Sequence, residues 1–513
     1  MSEQLDNASG GTEDQLKPLP TRQLVMVTFS LALAVFMNVL DVTIANVSIP
    51  TIAGDMGVAA DQGTWIITSF AVATAIAVPI SGWLAKRVGE VRLFVLCTLA
   101  FTLTSFLCGM APSFYFLLAM RAVQGAVAGP MIPLSQSLLL ANYPSEKRGL
   151  ANGIWGMTAI LGPVAGPILG GWITDNISWS WIFYINIPIG IVSALVTWNI
   201  LRHRETETRK LPIDIIGLTL LVVGVGALQI MLDKGNDDGW FQSPFIITLT
   251  AVALVFLSFW VVWELTDDNP IVDLKLFKRR NFTVATVSVS LGFMGYFGGV
   301  VLLPLWLQQE QGYTSTWAGI TTASLGVLAA LFSPIVGRLT DKIDLRLIFT
   351  FGMGVFAVVS FLEADANTQI SFSNLFWTRV PWGIGSACFF IPLITLSLRG
   401  IPSNKIASAS GLFNFMRLLA LSFGTSLSQM LWDRRQAYHD HILSTHASVS
   451  SPATEEWLKH AQTAGLSHLQ ALGAMARSIE EQSLMLSLND VYWLSAWMFI
   501  GLMGMVWFSR PNE

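Results

Sequence analysis

Pro144-Ser145-Glu146-Lys147-Arg148-Gly149-Leu150-Ala151-Asn152-Gly153 returns 258 residues later, without a gap, as Pro402-Ser403-Asn404-Lys405-Ile406-Ala407-Ser408-Ala409-Ser410-Gly411. Upstream of each copy an apolar segment carries an arginine with a glycine four residues on, Arg121…Gly125 and Arg379…Gly383. Met131-Ile132-Pro133-Leu134 then matches Phe390-Ile391-Pro392-Leu393, with one residue inserted. Earlier still, Pro79-Ile80-Ser81-Gly82-Trp83-Leu84 has its mate in Pro334-Ile335-Val336-Gly337-Arg338-Leu339. Two similar halves built from membrane helices are the plan of a secondary transporter, in which two bundles rock about a shared site.

Working outward, the chain has 513 residues, 53% of them hydrophobic and only 12% charged. No soluble domain of that size hides so much apolar surface. The net charge of -4 gives no reason to expect a nucleic-acid partner. Three cysteines, Cys97, Cys108 and Cys388, all in apolar segments, argue against a disulfide framework and read as packing residues. Residues 1–21 are polar and carry no cleavable signal pattern, so the first helix is expected to act as an anchor with the amino terminus in the cytoplasm. A phosphate-binding loop with its lysine, a zinc-protease helix and a nucleophile elbow are all missing from the sequence. ATP-driven pumping and hydrolysis are therefore without support, and neither an enzyme nor a cofactor is expected.

Stretches of about 20 apolar residues cross a bilayer as helices. Fourteen are expected, near 24–48, 62–84, 92–111, 114–139, 149–172, 178–200, 213–232, 244–264, 282–306, 317–337, 346–363, 373–398, 405–431 and 490–508. With the amino terminus inside, 21 of the 29 lysines and arginines fall in cytoplasmic segments, which fixes the orientation and puts both termini in the cytoplasm. Because helices 2 to 5 match helices 10 to 13, the expected fold is all-α. It has a six-helix bundle over 24–200 after a tail at 1–23, two inserted helices over 213–264, and a second bundle over 282–508. The only long outer stretch, 433–489, is expected to be a solvated, partly helical loop with helical pieces near 454–464 and 470–486. It holds five of the six histidines, but their spacing fits no ligand pattern and no metal is expected.

Charges inside spans are costly, about 2.5–3.5 kcal/mol each on insertion scales, and so are functional suspects. They are Asp41, Arg121, Arg379 and Arg417, while Asp214, Glu264, Glu310 and Glu363 sit at or near span ends. A carboxylate taken out of water loads and unloads a proton near neutral pH, as a proton-coupled carrier requires. Asp41 is the candidate, with Arg121 as its partner; the competing reading is a plain interhelical contact. For Arg121 the alternative is bonding to carbonyls opened near Pro130 and Pro133, and Arg379 inherits the same two readings. Helix 5 carries Gly162-Pro163, Gly166-Pro167 and Gly170-Gly171, with glycines for close approach and prolines for a kink, which suits a gating helix. The basic turn from Gly82 through Arg87 to Gly89, and its mate with Asp341 and Lys342, are candidate latches between helix ends. Aromatic and Met side chains re-pack around mixed lipophiles. Asn46, Phe293, Phe297, Arg379, Phe389, Phe390 and Arg417 are candidate substrate contacts, with ordinary core packing as the alternative.

Taken together, these segments resemble the major facilitator superfamily, and within it the 14-helix drug:proton antiporters of the EmrB/QacA type. Leu40-Asp41-Val42-Thr43-Ile44-Ala45-Asn46-Val47-Ser48-Ile49-Pro50 is similar to their first-helix signature, and Arg121-Ala122-Val123-Gln124-Gly125 to their fourth-helix motif. Gly162-Pro163 through Gly170-Gly171 resembles the fifth-helix antiporter motif. One departure is Lys86, where the superfamily's first inner loop usually has aspartate; Asp341 keeps that acid in the other half. The resemblance implies a multidrug exporter of the bacterial inner membrane that exchanges lipophilic drugs for protons. It also implies a periplasmic adaptor of the EmrA type and an outer-membrane channel of the TolC type. The alternative is a proton-coupled importer of a small solute or peptide.

Overall fold

The computed structural model describes residues 19–208, 212, 214–267, 270–402, 405–447 and 451–510. Most of the tail expected at 1–23, and Ser403 and Asn404 of the second repeat copy, lie outside the described residues.

The membrane helices are α1 (Thr21–Asp55), α2 (Trp65–Val88), α3 (Glu90–Gly109), α4 (Phe114–Asn142), α5 (Arg148–Asn176) and α6 (Trp181–Leu201, interrupted at Ile185). After them come α7 (Ile215–Lys234), α8 (Pro244–Thr266), α9 (Arg280–Gln309), α10 (Ser315–Leu339) and α11 (Leu345–Ala364). The series ends with α12 (Phe372–Leu398, broken between Arg379 and Trp382), α13 (Ile406–His446) and α14 (His468–Met505). Thirteen are long and apolar enough to cross a bilayer, and the bent α5 makes fourteen. Local sequence sets several starts: side chains of Ser113, Asp214, Thr314, Asp344, Ser371 and Ser467 accept first-turn N–H groups of α4, α7, α10, α11, α12 and α14. The outer surface is apolar, with Leu96, Leu99 and Leu103 on α3 and Leu254, Phe259 and Val262 on α8 exposed, as a lipid-facing wall requires.

Packing divides the helices into two groups. Helix α2 packs on α4, α1 on α5, and α3 on α4 and α6; in the other group α11 packs on α14, α9 on α13, and both α10 and α11 on α12. Helices α7 and α8 pack on each other, and α7 leans on α2 and α13. The groups meet chiefly where α5 crosses α10 and where α2 crosses α13. In the repeat α2 corresponds to α10 and α5 to α13, so these two crossings are one contact made twice about a pseudo-two-fold axis.

The stretch 433–489 has helices over both expected pieces, 454–464 and 470–486, and the flanking membrane helices also extend into it. Helix α13 continues to His446, a short helix spans Pro452–Thr463, and α14 starts at His468. Apolar residues keep their helical spacing past the membrane: Trp432 is buried against Leu484, Met485 and Leu488, and its indole N–H donates to the Leu484 carbonyl at 3.0 Å. The outer stretch is thus a helical extension of two membrane helices, stabilised by burial that polar composition alone conceals.

Candidate functional site

Asp41 and Arg121 face each other between α1 and α4, both at 0% exposure. Arg121 Nη1 donates to Asp41 Oδ2 at 2.5 Å and to Gln124 Oε1 at 2.8 Å, and its Nε donates to the Ile66 carbonyl at 3.2 Å. The carbonyls near Pro130 and Pro133, offered as alternative partners, take none of these bonds. Asp41 Oδ1 accepts from Asn186 Nδ2 at 2.9 Å and from Gln124 Nε2 at 3.4 Å. Both amides also donate to Ser105 Oγ, at 3.2 and 2.6 Å. The guanidinium lies over the Phe70 ring, 4.3 Å from its centroid, with Phe183 at 5.5 Å. Four helices therefore converge on one carboxylate, and its charge is met on every side, as a buried ion needs. Sequence reasoning did not bring in Asn186 and Ser105, because isolated polar residues in apolar helices are common.

The second half holds a related pair of different quality. Arg379 Nε stands 3.5 Å from Glu363 Oε1, with side-chain exposures of 0% and 2%. Arg379 Nη2 and the Tyr492 hydroxyl both donate to the Gly299 carbonyl at 3.4 Å. Arg379 was expected among substrate contacts; the structure turns it inward to Glu363, and the acid placed near a span end is buried.

The two groups close at the end that carries Lys86, Arg87, Lys147 and Lys342, the basic end. A Cβ on Gly337 would stand 2.5 Å from the Gly149 carbonyl oxygen and 3.0 Å from Gly153 Cα. Across the pseudo-axis, a Cβ on Gly82 would stand 2.6 Å from Ser408 Cα, and one on Gly411 2.7 Å from Ser81 Oγ. Polar bonds follow the same symmetry. Ser410 Oγ donates to Gln136 Oε1 at 2.5 Å, and Asn152 Nδ2 donates to Thr395 Oγ1 at 3.2 Å. In the repeat Gln136 corresponds to Thr395 and Asn152 to Ser410, so each bond is the image of the other. Trp155 stacks on Phe390 across the seam at 6.2 Å. Asp341 Oδ1 accepts the Gly149 N–H at 3.2 Å, so an acid of one group caps the first turn of α5 in the other.

The remaining candidates separate by position. Gly162, Gly166 and Gly170 hold α5 against Val39, Thr43 and Ile44 of α1, and α5 bends by 45° between Arg148–Pro163 and Ile168–Asn176. Gly89, at φ +99°, leaves room for the Glu205 carboxylate, which accepts from the N–H groups of Val91 and Arg92 at 3.0 and 2.9 Å. Arg87 and Lys342 are exposed, and the Arg87 guanidinium lies 5.3 Å from the Trp83 ring centroid. Phe293 and Phe297 are half-buried and stacked at 5.5 Å, and the Arg417 guanidinium lies over Phe293 and Phe390 at 5.6 and 5.1 Å. Phe389, expected among the lining residues, is buried against Phe349 and Phe356. Asn46 is exposed beyond Asp41, on the side away from the basic end, and stays outside the Asp41 network. Among the described residues no cluster of His, Cys, Asp or Glu is arranged to hold a metal ion.

Compared with known proteins, residues 31–425 match the model of the Major Facilitator Superfamily. The chain is 49% identical to "Multidrug export protein EmrB" of Escherichia coli (strain K12), over 97% of each chain. It is 49% identical to the protein of that name in Haemophilus influenzae, over 98% of this chain and 99% of that one. To "Fatty acid resistance protein FarB" of Neisseria gonorrhoeae it is 48% identical, over 96% of this chain and 97% of the relative. Among solved structures, the proton:xylose symporter XylE aligns with a TM-score of 0.59 at 12% identity, over 95% of this chain and 96% of that one, a likeness of fold alone.

Proposed function

We propose that this chain, which belongs to the major facilitator superfamily, exports lipophilic compounds in exchange for protons by alternating access. The observation that carries the reading is the buried Asp41–Arg121 pair within one helix group, together with a seam between the groups that is shut at the basic end through small residues and two symmetric hydrogen bonds. The relatives' printed names, multidrug export and fatty acid resistance, support the substrate class. Placement in a bacterial inner membrane follows the same relatives, and the distribution of lysine and arginine supports cytoplasmic termini. On that orientation the basic end, where the seam is shut, is cytoplasmic.

In this scheme a periplasmic proton competes with Arg121 for Asp41. Once neutral, Asp41 no longer holds the guanidinium, and the network of Gln124, Asn186 and Ser105 is free to rearrange. The seam then opens, and the proton leaves to the cytoplasm as a lipophile enters. Each proton entering at 100 mV contributes about 2.3 kcal/mol before any pH gradient. Phe293, Phe297 and Arg417 face the lipophile, with Gly162, Pro163, Gly166 and Gly170 serving the rocking of α5. A periplasmic adaptor of the EmrA type and a channel of the TolC type complete the path, and the helical extension of α13 and α14 is the place for adaptor contact.

The test is efflux of a preloaded fluorescent lipophile from energised cells lacking other pumps. Wild type should clear the dye. Asp41→Asn should not, while still binding it in purified form. Unchanged efflux by Asp41→Asn would remove Asp41 from coupling, and an inert wild type with an adaptor present would remove the multidrug reading.

A further inference from the structure

Among the buried ionisable groups, Glu363 has the least satisfied surroundings. Its side chain is 2% exposed, yet neither carboxylate oxygen takes part in a hydrogen bond, and Arg379 Nε and Nη1 donate none. Asp41, by contrast, has three donors at hydrogen-bond distance. A charge buried without such partners costs several kcal/mol, and an ion pair offsets that only in good geometry. The groups that face the site are Arg379 from α12 and Tyr492 from α14, with Tyr296 of α9 near the arginine. A second observation is the contrast with the arginine 258 residues earlier: Arg121 Nη1 donates directly to Asp41, whereas Arg379 Nη2 donates to the Gly299 carbonyl and leaves Glu363 without a hydrogen bond.

We propose that Glu363 is a second proton-carrying site, in the carboxyl-terminal helix group, paired with Arg379 as Asp41 is with Arg121. The proposal rests on the antiport reading. In the conformation shut at the basic end Glu363 carries a proton on one carboxylate oxygen, taken from water beyond Ala364, where α11 ends one residue later. Arg379 immediately precedes the break in α12 at Val380 and Pro381. When the carrier opens at its basic end, re-packing at that break brings the guanidinium onto the carboxylate. The proton then leaves to water on that side, with no bond changed except O–H.

Infrared spectroscopy of the purified full-length protein at neutral pH tests this directly. Wild type should show the carbonyl stretch of a protonated carboxyl group, which Glu363→Gln removes and Asp41→Asn leaves in place. A wild type without the band, or a wild-type minus Glu363→Gln difference spectrum that shows no protonated-carboxyl component, overturns the proposal. Should Glu363→Gln fail to fold, Arg379→Gln serves instead: with the cation gone, the band should persist to higher pH than in wild type. In proteoliposomes, the pH gradient that balances a fixed gradient of the neutral dye Nile red should need to be about twofold larger for Glu363→Gln than for wild type. An equal balance point in the two overturns the proposal while leaving antiport intact, whereas dye transport by wild type without proton movement overturns antiport itself.

Discussion

Replacing Gly337 with alanine should hold the carrier open at its basic end. The added Cβ would stand 2.5 Å from the Gly149 carbonyl oxygen, 3.0 Å from Gly153 Cα and 3.2 Å from the Gly149 carbonyl carbon, where ordinary contact begins at 3.4 Å. All three neighbours are helix backbone, so no rotamer change relieves the clash, and α5 and α10 must part by about 0.9 Å. Overpacking of this kind costs about 1–3 kcal/mol, which shifts the equilibrium between the shut and open forms by about 5–150-fold. The penalty exists only in the form with the seam closed. Spin labels at Lys147→Cys and Lys342→Cys, both exposed and one on each side of the seam, report the separation by electron–electron double resonance. The native thiols, Cys97, Cys108 and Cys388, are buried and leave the labelling selective. Gly337→Ala should raise the long-distance population and slow efflux, and Gly82→Ala should do the same across the pseudo-axis. Gly354→Ala, whose Cβ would meet only the end of Met503 at 3.4 Å, is the control. A folded Gly337→Ala with an unchanged distance distribution would refute the assignment of this seam as the gate.

Further outcomes follow from the same contacts. Gln136→Leu and Asn152→Leu each delete a buried bond across the seam, worth about 0.5–1.5 kcal/mol, so each should open the gate by up to about tenfold in the same distance assay. Equal effects from the two would support the symmetric latch, and an effect from neither would discard it. Asp341 gives a pH dependence. Asp341 is an exposed residue, but partial desolvation of its carboxyl against the seam raises it above the ordinary aspartate value, although the hydrogen bond from Gly149 pulls the other way. Opening removes that seam and returns the carboxyl to its ordinary value. The shut form therefore binds the proton more tightly, shutting gains as pH falls through the window between the two values, and ionised Asp341 weighs against it above that window. Asp341→Asn keeps the acceptor without the charge, so it should leave the gate shut at pH 7 and flatten the pH dependence of the distance distribution; a gate that opens instead would show that the charge holds the latch.

The fold was legible because two signals each have a simple physical cause. Apolar runs of membrane length have one stable solution in lipid, and the repeat anchored on Arg121 and Arg379 fixed how the helices pair. The Asp41–Arg121 meeting was legible for the same reason: a buried charge needs a partner, and few were on offer. What stayed hidden was the quality of the surroundings. Nothing in the sequence says that Asn186 reaches Asp41 or that Ser105 holds the amides around it, since that depends on how α3 and α6 rotate against α1. Glu363 read as an end-of-span acid because its linear position is one residue from the end of α11, while the broken α12 folds Arg379 over it. The stretch 433–489 read as only a partly helical loop, without the continuation of its flanking membrane helices, because its charges dominate any average over composition. The buried stripe of Leu484, Met485 and Leu488 against Trp432 is visible only once the two helices are seen side by side.

On the proposed antiport, the packing offers a mechanical route from Asp41 to the seam at the basic end. Helix α5 belongs to both. Toward its outer part, Gly162, Gly166 and Gly170 let it touch α1: Cβ atoms there would stand 2.5 Å from Val39 Cγ1, 2.7 Å from Thr43 Cβ and 2.7 Å from the Ile44 carbonyl oxygen. The Thr43 hydroxyl adds a bond to the Gly162 carbonyl at 3.2 Å. Toward its basic end the same helix presents Gly149 and Gly153 to α10. Interfaces packed this closely do not deform gradually, because interiors are dense and respond in discrete steps. On the proposed exchange, a shift of α1 when Asp41 releases Arg121 would be carried by α5, across its 45° bend, into the glycine seam. Side chains at these glycines would separate the helices and break that transmission, which gives the glycine pattern of α5 a mechanical role beyond close packing.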